Sequence, residues 1–241
     1  MLQYINELYG NKLAGSDGEI GHVKDFYFED KTWVIRYLVA DTGSWLSERQ
    51  VLLSPHAFGR LDRDGKILSL NLTRKQIQDS PPIEAHKPVS RQHEIDSSRY
   101  YSWPAYWNSS PMEALGCYPV VMPLSHAEVE ARRQNHKGDD VHLRSTKALN
   151  GYEIHATDGA IGALCGFMVD DKSWTIGELV VEAGHWYSGK EIRIPTAKIS
   201  RISYADSKVF VQLTKADIQL TGENEVAEAG GGNPRAKNHL R

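Results

Sequence analysis

The chain contains one internal repeat, and this repeat constrains the fold more than any other feature of the sequence. The shift that aligns Asp17 with Asp158 also aligns a long series of identical residues. The pairs include Leu8/Leu149, Gly10/Gly151, Gly18/Gly159, Ile20/Ile161, Gly21/Gly162, Phe26/Phe167, Asp30/Asp171, Trp33/Trp174, Leu38/Leu179, Gly43/Gly184, Trp45/Trp186, Leu72/Leu213 and Ile77/Ile218. Each copy is too long to be a solenoid unit, since such units are short and stack several times. We therefore expect two domains, each with its own core.

Within each copy, the local patterns are typical of short antiparallel strands. Turn dipeptides Asp17-Gly18 and Asp158-Gly159 each precede a run rich in β-branched and aromatic residues. Near the end of the first copy, a hairpin turn at Asp64-Gly65 leads into alternating leucines, and Thr73 to Gln76 has the form of a capping box. We predict a mainly β chain of two small antiparallel β-barrels, each with short terminal helices, joined by a long linker.

The order of these elements resembles the PRC-barrel family. The resemblance rests on Asp-Gly-x-Ile-Gly before a strand, Asp-Asp-Lys-x-Trp in the next turn, then Gly-x-Trp, Ile-Pro and a final Val-x-Val-x-Leu-Thr. It covers about residues 5 to 80 and 144 to 220. The family is named for the cytoplasmic domain of the photosynthetic reaction-centre H subunit, and the repeats also resemble the C-terminal domain of a bacterial ribosome maturation factor. The resemblance implies binding and assembly modules that share no catalytic residues.

Composition divides the chain into four segments. We expect a first barrel at residues 1–80, a linker rich in Pro and aromatic residues at 81–143, a second barrel at 144–220 and a disordered tail at 221–241. Ser125 begins a capping-box pattern, which predicts one short helix inside the linker, ending near Asn135.

An aromatic run in the linker is the first candidate partner-binding segment. It consists of Tyr100, Tyr101, Trp103, Tyr106 and Trp107, in a chain that is 9% aromatic. Two interpretations remain open. The rings either pack on a barrel and hold the domains, in one chain or by exchange in a homodimer, or they form an exposed anchor for a partner.

The repeated Gly-x-Trp segments are the second candidate. Trp45 and Leu46 in the first copy correspond in place to Trp186 and Tyr187 in the second, with His185 beside them. Either the tryptophans cover the barrel ends, each with its indole N–H bonded to a carbonyl, or the segments form two matching patches that bind one partner twice.

We identify no catalytic residues, no metal ligands and no cofactor site in the sequence. The segment from Gly184 to Lys190 is similar to a phosphate-binding loop, but Glu191 stands where a magnesium-binding Ser or Thr is needed. Asp62 and Asp64 lack the glutamate that would complete a calcium loop. The two cysteines, Cys117 and Cys165, form no CxxC motif.

Charge and hydropathy narrow the functional classes. The net charge of −3 makes nucleic acid an unlikely partner, and the absence of a secretory pattern and of a long apolar run predicts a cytoplasmic protein. We expect a non-catalytic adaptor or assembly protein that binds another protein. The alternatives are a ribosome- or RNA-associated assembly factor, and a small-ligand binder or enzyme that uses a groove between the barrels.

Overall fold

The structure, a computed structural model, describes residues 1–46, 49–81, 91–104, 143–187 and 189–220, with only the backbone for residues 91–93 and Trp186. The chain forms two compact units. The first comprises Met1, Gln3–Ala148 and Asp170–Thr175, and the second comprises Leu2, Leu149–Val169 and Ile176–Arg241.

The first unit is built on a sheet of short, strongly interrupted strands. The first strand of the chain, β1 (Leu2–Tyr4), pairs with β10 (Gly159–Asp170) and is not part of this sheet. In chain order the strands of this sheet are β2 (Lys12–Gly15), β3 (Gly18–Glu29), β4 (Ile35–Asp41), β5 (Gln50–Leu53), β6 (Phe58–Asp62), β7 (Ile67–Leu70) and β8 (Leu143–Ser145). The sheet runs in the order β5-β4-β3-β2-β7-β6, and β8 also pairs with β3. All these pairs are antiparallel except β2 with β7, which is parallel.

The second unit repeats this strand order. Its strands are β9 (Glu153–Ala156), β10 (Gly159–Asp170), β11 (Ile176–Ala183), β12 (Glu191–Pro195), β13 (Ile199–Ser203) and β14 (Lys208–Val211). They run in the order β12-β11-β10-β9-β14-β13, and the pair of β9 with β14 is again parallel. The prediction of a mainly β chain with two domains of one fold is therefore confirmed.

Neither sheet closes fully in the part of the chain that the structure describes. The path of paired strands ends at β5 and β6 in the first unit and at β12 and β13 in the second. The repeated parallel pair also means that the sheets are not purely antiparallel. The parallel pair arises because the last hairpin of each copy lies beside its first short strand, a non-local pairing that hairpin patterns in a sequence do not reveal.

The central strand of each sheet supplies the core. In β3, Phe26 and Phe28 are fully buried, as are Phe167 and Val169 in β10. Completely burying side chains of this size stabilises a fold by about 1.5–3 kcal/mol each. The alternation of buried and exposed residues is broken by register shifts between Val23 and Asp25 and between Leu164 and Gly166. The bulges fall at the same place in both copies, so the long strands bend alike.

A glycine in each copy permits close backbone approach at the start of this strand. A Cβ atom on Gly21 would lie 2.0 Å from the carbonyl oxygen of Asp41, and a Cβ on Gly162 would lie 2.0 Å from that of Glu182. No side chain fits at such a distance. This is the physical reason for the glycine that follows Ile20 and Ile161 in the repeat.

The turn after each central strand has the same unusual backbone. Trp33 and Trp174 have φ values of 60° and 53°, and their N–H groups donate to the carbonyls of Glu29 and Asp170. In the first unit, Trp33 stacks on Phe28 at 5.3 Å between ring centroids, and Trp174 packs edge-on against Phe58 at 4.6 Å. Aromatic packing compensates for a left-handed conformation that bulky residues rarely adopt.

Short helices follow the last strand of each copy. In α1 (Arg74–Gln78) the predicted capping box is present, since Thr73 accepts from the Gln76 N–H and the Gln76 side chain accepts from the Thr73 N–H. Residues 215–220 are helical in the second copy. A further helix, α2 (Arg91–Tyr101), lies in the segment read as linker and was not predicted. The helix predicted from Ser125 lies outside the described residues, and within them no helix is long and apolar enough to cross a membrane.

Candidate protein-interaction surface

The end of α2 directs the linker aromatics onto the first unit. Ser102 adopts a left-handed conformation with φ 56°, its N–H donates to the carbonyl of Arg99, and the Trp103 N–H donates to the carbonyl of Ser98 at 3.0 Å. These two bonds are those of a Schellman motif, and Pro104 then prevents the helix from continuing. The helix therefore stops at a fixed place, with Trp103 turned back towards the helix.

Three of the predicted aromatic residues form one cluster. Tyr101 stacks on Trp103 at 4.1 Å between ring centroids, and Tyr100 meets Tyr101 edge-on at 4.8 Å. The Tyr100 hydroxyl donates to the carbonyl of Gln76 in α1 at 2.9 Å. The cluster thus ties α2 to α1, while Tyr100 remains 39% exposed. Tyr106 and Trp107 lie outside the described residues.

Arg49 joins this cluster to the strand region. Its guanidinium donates to the carbonyl of Gln78 at 2.9 Å and also to that of Ser80. A cation at this end of α1 satisfies carbonyls that the helix leaves unpaired and interacts favourably with the helix dipole. Sequence reasoning missed Arg49, because nothing local marks an arginine that acts on residues far along the chain.

The environment of Tyr101 keeps its hydroxyl neutral. Burial raises the pKa of Tyr101 to about 12, a shift that the neighbouring Ser80 and Arg49 partly oppose and Tyr100 adds to. At physiological pH this side chain can therefore act as a hydrogen-bonding and stacking group, and not as a base.

A cleft of about 190 Å³ in the first unit lies beside the aromatic cluster. Its walls are the linker residues Ser98, Trp103 and Pro104, the strand residues Val34, Ile35, Arg36 and Tyr37, the turn residues Ser54, Pro55 and His56, and Ser173. Trp103 thus contributes both to the cluster and to the cleft. The lining combines apolar surface with a few polar groups, which is the composition of a small recognition site.

The charged group in this cleft has its charge compensated. The Arg36 guanidinium donates to the Glu29 carboxylate, which also accepts from the Thr32 hydroxyl at 2.7 Å. This triad orients Arg36 along β4. The cleft therefore offers hydrogen-bond donors and an aromatic wall without a strong net charge.

Trp45 and Leu46 lie in a 3-10 turn of the first unit, and neither lines the cleft. The Trp45 indole N–H donates to the carbonyl of Ile20, and the Arg74 guanidinium carbon lies 4.4 Å from the centre of its ring. Both residues are half-buried. Trp45 is thus fixed to its own unit, with its polar atom used and one ring face covered.

The corresponding turn of the second unit comprises His185–Tyr187. His185 is exposed and Tyr187 is half-buried, with the Lys190 ammonium 5.1 Å from its ring centre. The side chain of Trp186 is not among those described. The Lys190 ammonium and the Tyr187 ring therefore lie close together beside this turn.

The described residues contain no group of three or more His, Cys, Asp or Glu side chains placed to hold a metal ion. Cys165 is half-buried, and its thiol donates to the carbonyl of Val180 at 3.2 Å. Cys117 lies outside the described residues.

Comparison with known proteins agrees with this geometry. Residues 2–76 match the family model of the PRC-barrel domain. A stretch of 82 residues is 35% identical to an uncharacterized protein of Deinococcus radiodurans, covering 34% of this chain and 29% of that protein. The matched segment thus spans less than a third of the length of this relative.

Proposed function

We propose that the chain is a non-catalytic adaptor or assembly protein, because residues 2–76 match the PRC-barrel domain and the second unit repeats the strand order of the first. Its partner is another protein, which binds in the cleft of the first unit beside Tyr100, Tyr101 and Trp103. PRC-barrel domains are generally non-catalytic.

One observation carries this proposal: residues beyond the matched domain complete a cleft on it. Ser98, Trp103 and Pro104 line this cleft together with residues of β4 and of the turn at Pro55 and His56. Rigid aromatic side chains at the wall of a cleft are typical of interface hot spots, since they bury large areas at low entropic cost. A cleft of this size accepts one or two side chains of a partner.

The substitution Trp103→Ala tests the proposal in an experiment that compares the proteins bound by the full wild-type chain and by the full variant chain. Tagged wild-type and variant chains are used as baits, and the captured proteins are compared quantitatively. We expect a specific partner whose recovery falls at least tenfold with Trp103→Ala. His56→Ala, at another residue that lines the cleft, should also lower the recovery of the same partner.

The matched control is Tyr152→Ala, which removes a half-buried aromatic side chain in the second unit, away from the cleft lining. Circular dichroism establishes that all three variants are folded. Equal recovery of every captured protein by wild-type, Trp103→Ala and His56→Ala chains would contradict a partner site in this cleft.

A further inference from the structure

A strand from the second sequence copy completes the sheet of the first unit. The shift that aligns Asp17 with Asp158 aligns Leu2 with Leu143, so β8 is the counterpart of β1. Yet β8 pairs with β3, and the segment up to Ala148 belongs to the first unit, whereas Leu2 belongs to the second. The first strand of the second copy therefore belongs to the unit of the first copy, and Leu2 of the first copy belongs to the unit of the second.

The backbone and one apolar side chain hold β8 in register on β3. Glu29 pairs with Leu143, Phe28 with Arg144 and Tyr27 with Ser145, all antiparallel. The Leu143 side chain is 6% exposed and packs in a cluster with Tyr37, Val39 and Leu52, against which Tyr27 also lies. β8 thus pairs with the part of β3 that β2 does not cover. In such strand addition, backbone bonds give affinity and side-chain pockets give specificity.

Asp25 supplies a polar latch at the end of this strand. Its carboxylate accepts from the Ser145 hydroxyl at 2.5 Å, from the Thr146 hydroxyl at 3.0 Å and from the Lys147 N–H at 3.3 Å. Thr146 is fully buried, its N–H donates to the carbonyl of Phe26, and its hydroxyl oxygen lies 2.8 Å from that of Tyr9. Three donors from consecutive residues converge on one carboxylate.

The latch is built once in each chain. The residue aligned with Asp25 in the second copy is Gly166, and those aligned with Ser145 and Thr146 in the first copy are Tyr4 and Ile5. Neither half of the latch is therefore repeated. Each chain carries one acceptor, at β3, and one segment that fits it, Leu143–Lys147.

We propose that two copies of this chain associate by exchanging β8, so that the β3 edge and Asp25 of each copy receive Leu143–Lys147 of the other. The segment is joined to α2 through residues 105–142, and a chain of that length can span on the order of 100 Å when extended. It can therefore reach a neighbouring copy. The exchanged pair uses the same contacts as the single chain, which makes exchange a low-cost route to a symmetric dimer. The association does not depend on the cleft at Trp103.

A cross-linking experiment with full chains tests the exchange. Asp30 and Arg144 form an ion pair at 3.6 Å, so cysteines at these two positions can be joined by a short thiol-reactive linker. Asp30→Cys and Arg144→Cys are made in separate, differently tagged chains in which Cys117 and Cys165 are replaced. The two chains are unfolded, mixed, refolded at micromolar concentration and cross-linked.

The proposal predicts a covalent product that carries both tags and has twice the mass of one chain. A chain that carries both substitutions, Asp30→Cys and Arg144→Cys, is treated in the same way as a control. A product only within single chains of this double variant, with no joint product from the mixed single variants, would overturn the proposal. So would the absence of any product from either, since β8 would then not lie on β3.

Asp25→Asn tests the latch independently. Asp25 makes the same contacts with Leu143–Lys147 in the exchanged and in the unexchanged form. Weakening these contacts therefore lowers the barrier to the release of β8 from β3 and leaves the equilibrium between the two forms unchanged. We expect preformed, differently tagged dimers to interchange at least tenfold faster with Asp25→Asn or Ser145→Ala than in the wild type. The matched control, Asp64→Asn in the exposed turn before β7, should interchange at the wild-type rate. Equal rates for all of these chains would show that Asp25 is not the latch.

Discussion

The carboxylate of Asp17, in the turn before β3, accepts a hydrogen bond of 2.7 Å from the backbone N–H of Arg74, the first residue of α1. The second copy repeats the bond between Asp158 and Lys215 at 3.1 Å. The first N–H groups of a helix have no partner within it, and negative charge is favourable there. The sequence pattern assigned these aspartates to turns, and the structure shows that they also tie each turn to the terminal helix.

Replacing either aspartate should destabilise its own unit. Asp17→Ala removes the acceptor of the Arg74 N–H, and the loss of a helix-capping acceptor costs about 1 kcal/mol. We expect a lower urea midpoint for Asp17→Ala and for Asp158→Ala. Asp64→Ala, in an exposed turn, is the control and should have the midpoint of the wild type. A wild-type midpoint for both capping variants would contradict the role of these bonds.

Gly21→Ala should be far more damaging than Gly10→Ala. A Cβ on Gly21 would meet the Asp41 carbonyl oxygen at 2.0 Å, whereas a Cβ on Gly10 would have no atom within 4 Å. Both positions have positive φ, which alone costs about 1–2 kcal/mol for alanine. The backbone clash at Gly21 should bring the loss to more than about 3 kcal/mol. Thermal unfolding of both variants measures the difference, and similar melting temperatures would exclude the close approach.

Arg49→Ala should loosen the junction between α1 and the aromatic cluster. The substitution leaves the carbonyls of Gln78 and Ser80 without their charged donor. Hydrogen bonds to charged groups contribute about 1.5–3 kcal/mol when buried, and the partial exposure of Arg49 reduces this to about 1 kcal/mol. Hydrogen exchange should be faster at α1 and α2. Arg60→Ala, at an exposed residue of β6, should leave it unchanged.

The raised pKa of Tyr101 predicts a loss of stability in alkaline solution. An unfolded tyrosine ionises near pH 10, whereas the buried Tyr101 retains its proton up to about pH 12. The folded form therefore binds more protons than the unfolded form in this range, so stability is unaffected below about pH 10 and falls as the pH rises towards 12. The melting temperature of Tyr101→Phe should decrease less than that of the wild type between pH 9 and pH 11.5. A parallel decrease would place Tyr101 in solvent.

The repeat and the turn dipeptides were sufficient to predict two β domains, because strands and tight turns are encoded locally. The capping box at Thr73 was predicted for the same reason. The helix α2 was missed, although Ser90 precedes it and serine is a residue type favoured at helix starts.

Pairing partners could not be predicted in the same way. The alternation of apolar and polar residues along a strand predicts which face of the sheet each residue occupies. It does not predict which distant strand lies beside it. The pairing of β8 with β3 depends on Leu143 reaching an apolar cluster and on Ser145 and Thr146 reaching Asp25. The parallel pair of β2 with β7 is equally non-local. For the candidate surface, the density of aromatic residues marked Tyr100, Tyr101 and Trp103 in the sequence. Nothing local marked Arg36 and His56, which line the same cleft as Trp103 only in the folded chain.

Photo-cross-linking from the cleft tests directly whether a protein binds there, as we propose. A photoreactive amino acid is placed at position 56, in the cleft wall, and in a separate chain at position 60, on the exposed surface of β6. After irradiation in cells, the account predicts a discrete protein adduct from position 56 and none of that mass from position 60. The adduct from position 56 should also disappear when Trp103→Ala is added. The same adducts from both positions, or none from position 56, would contradict the account.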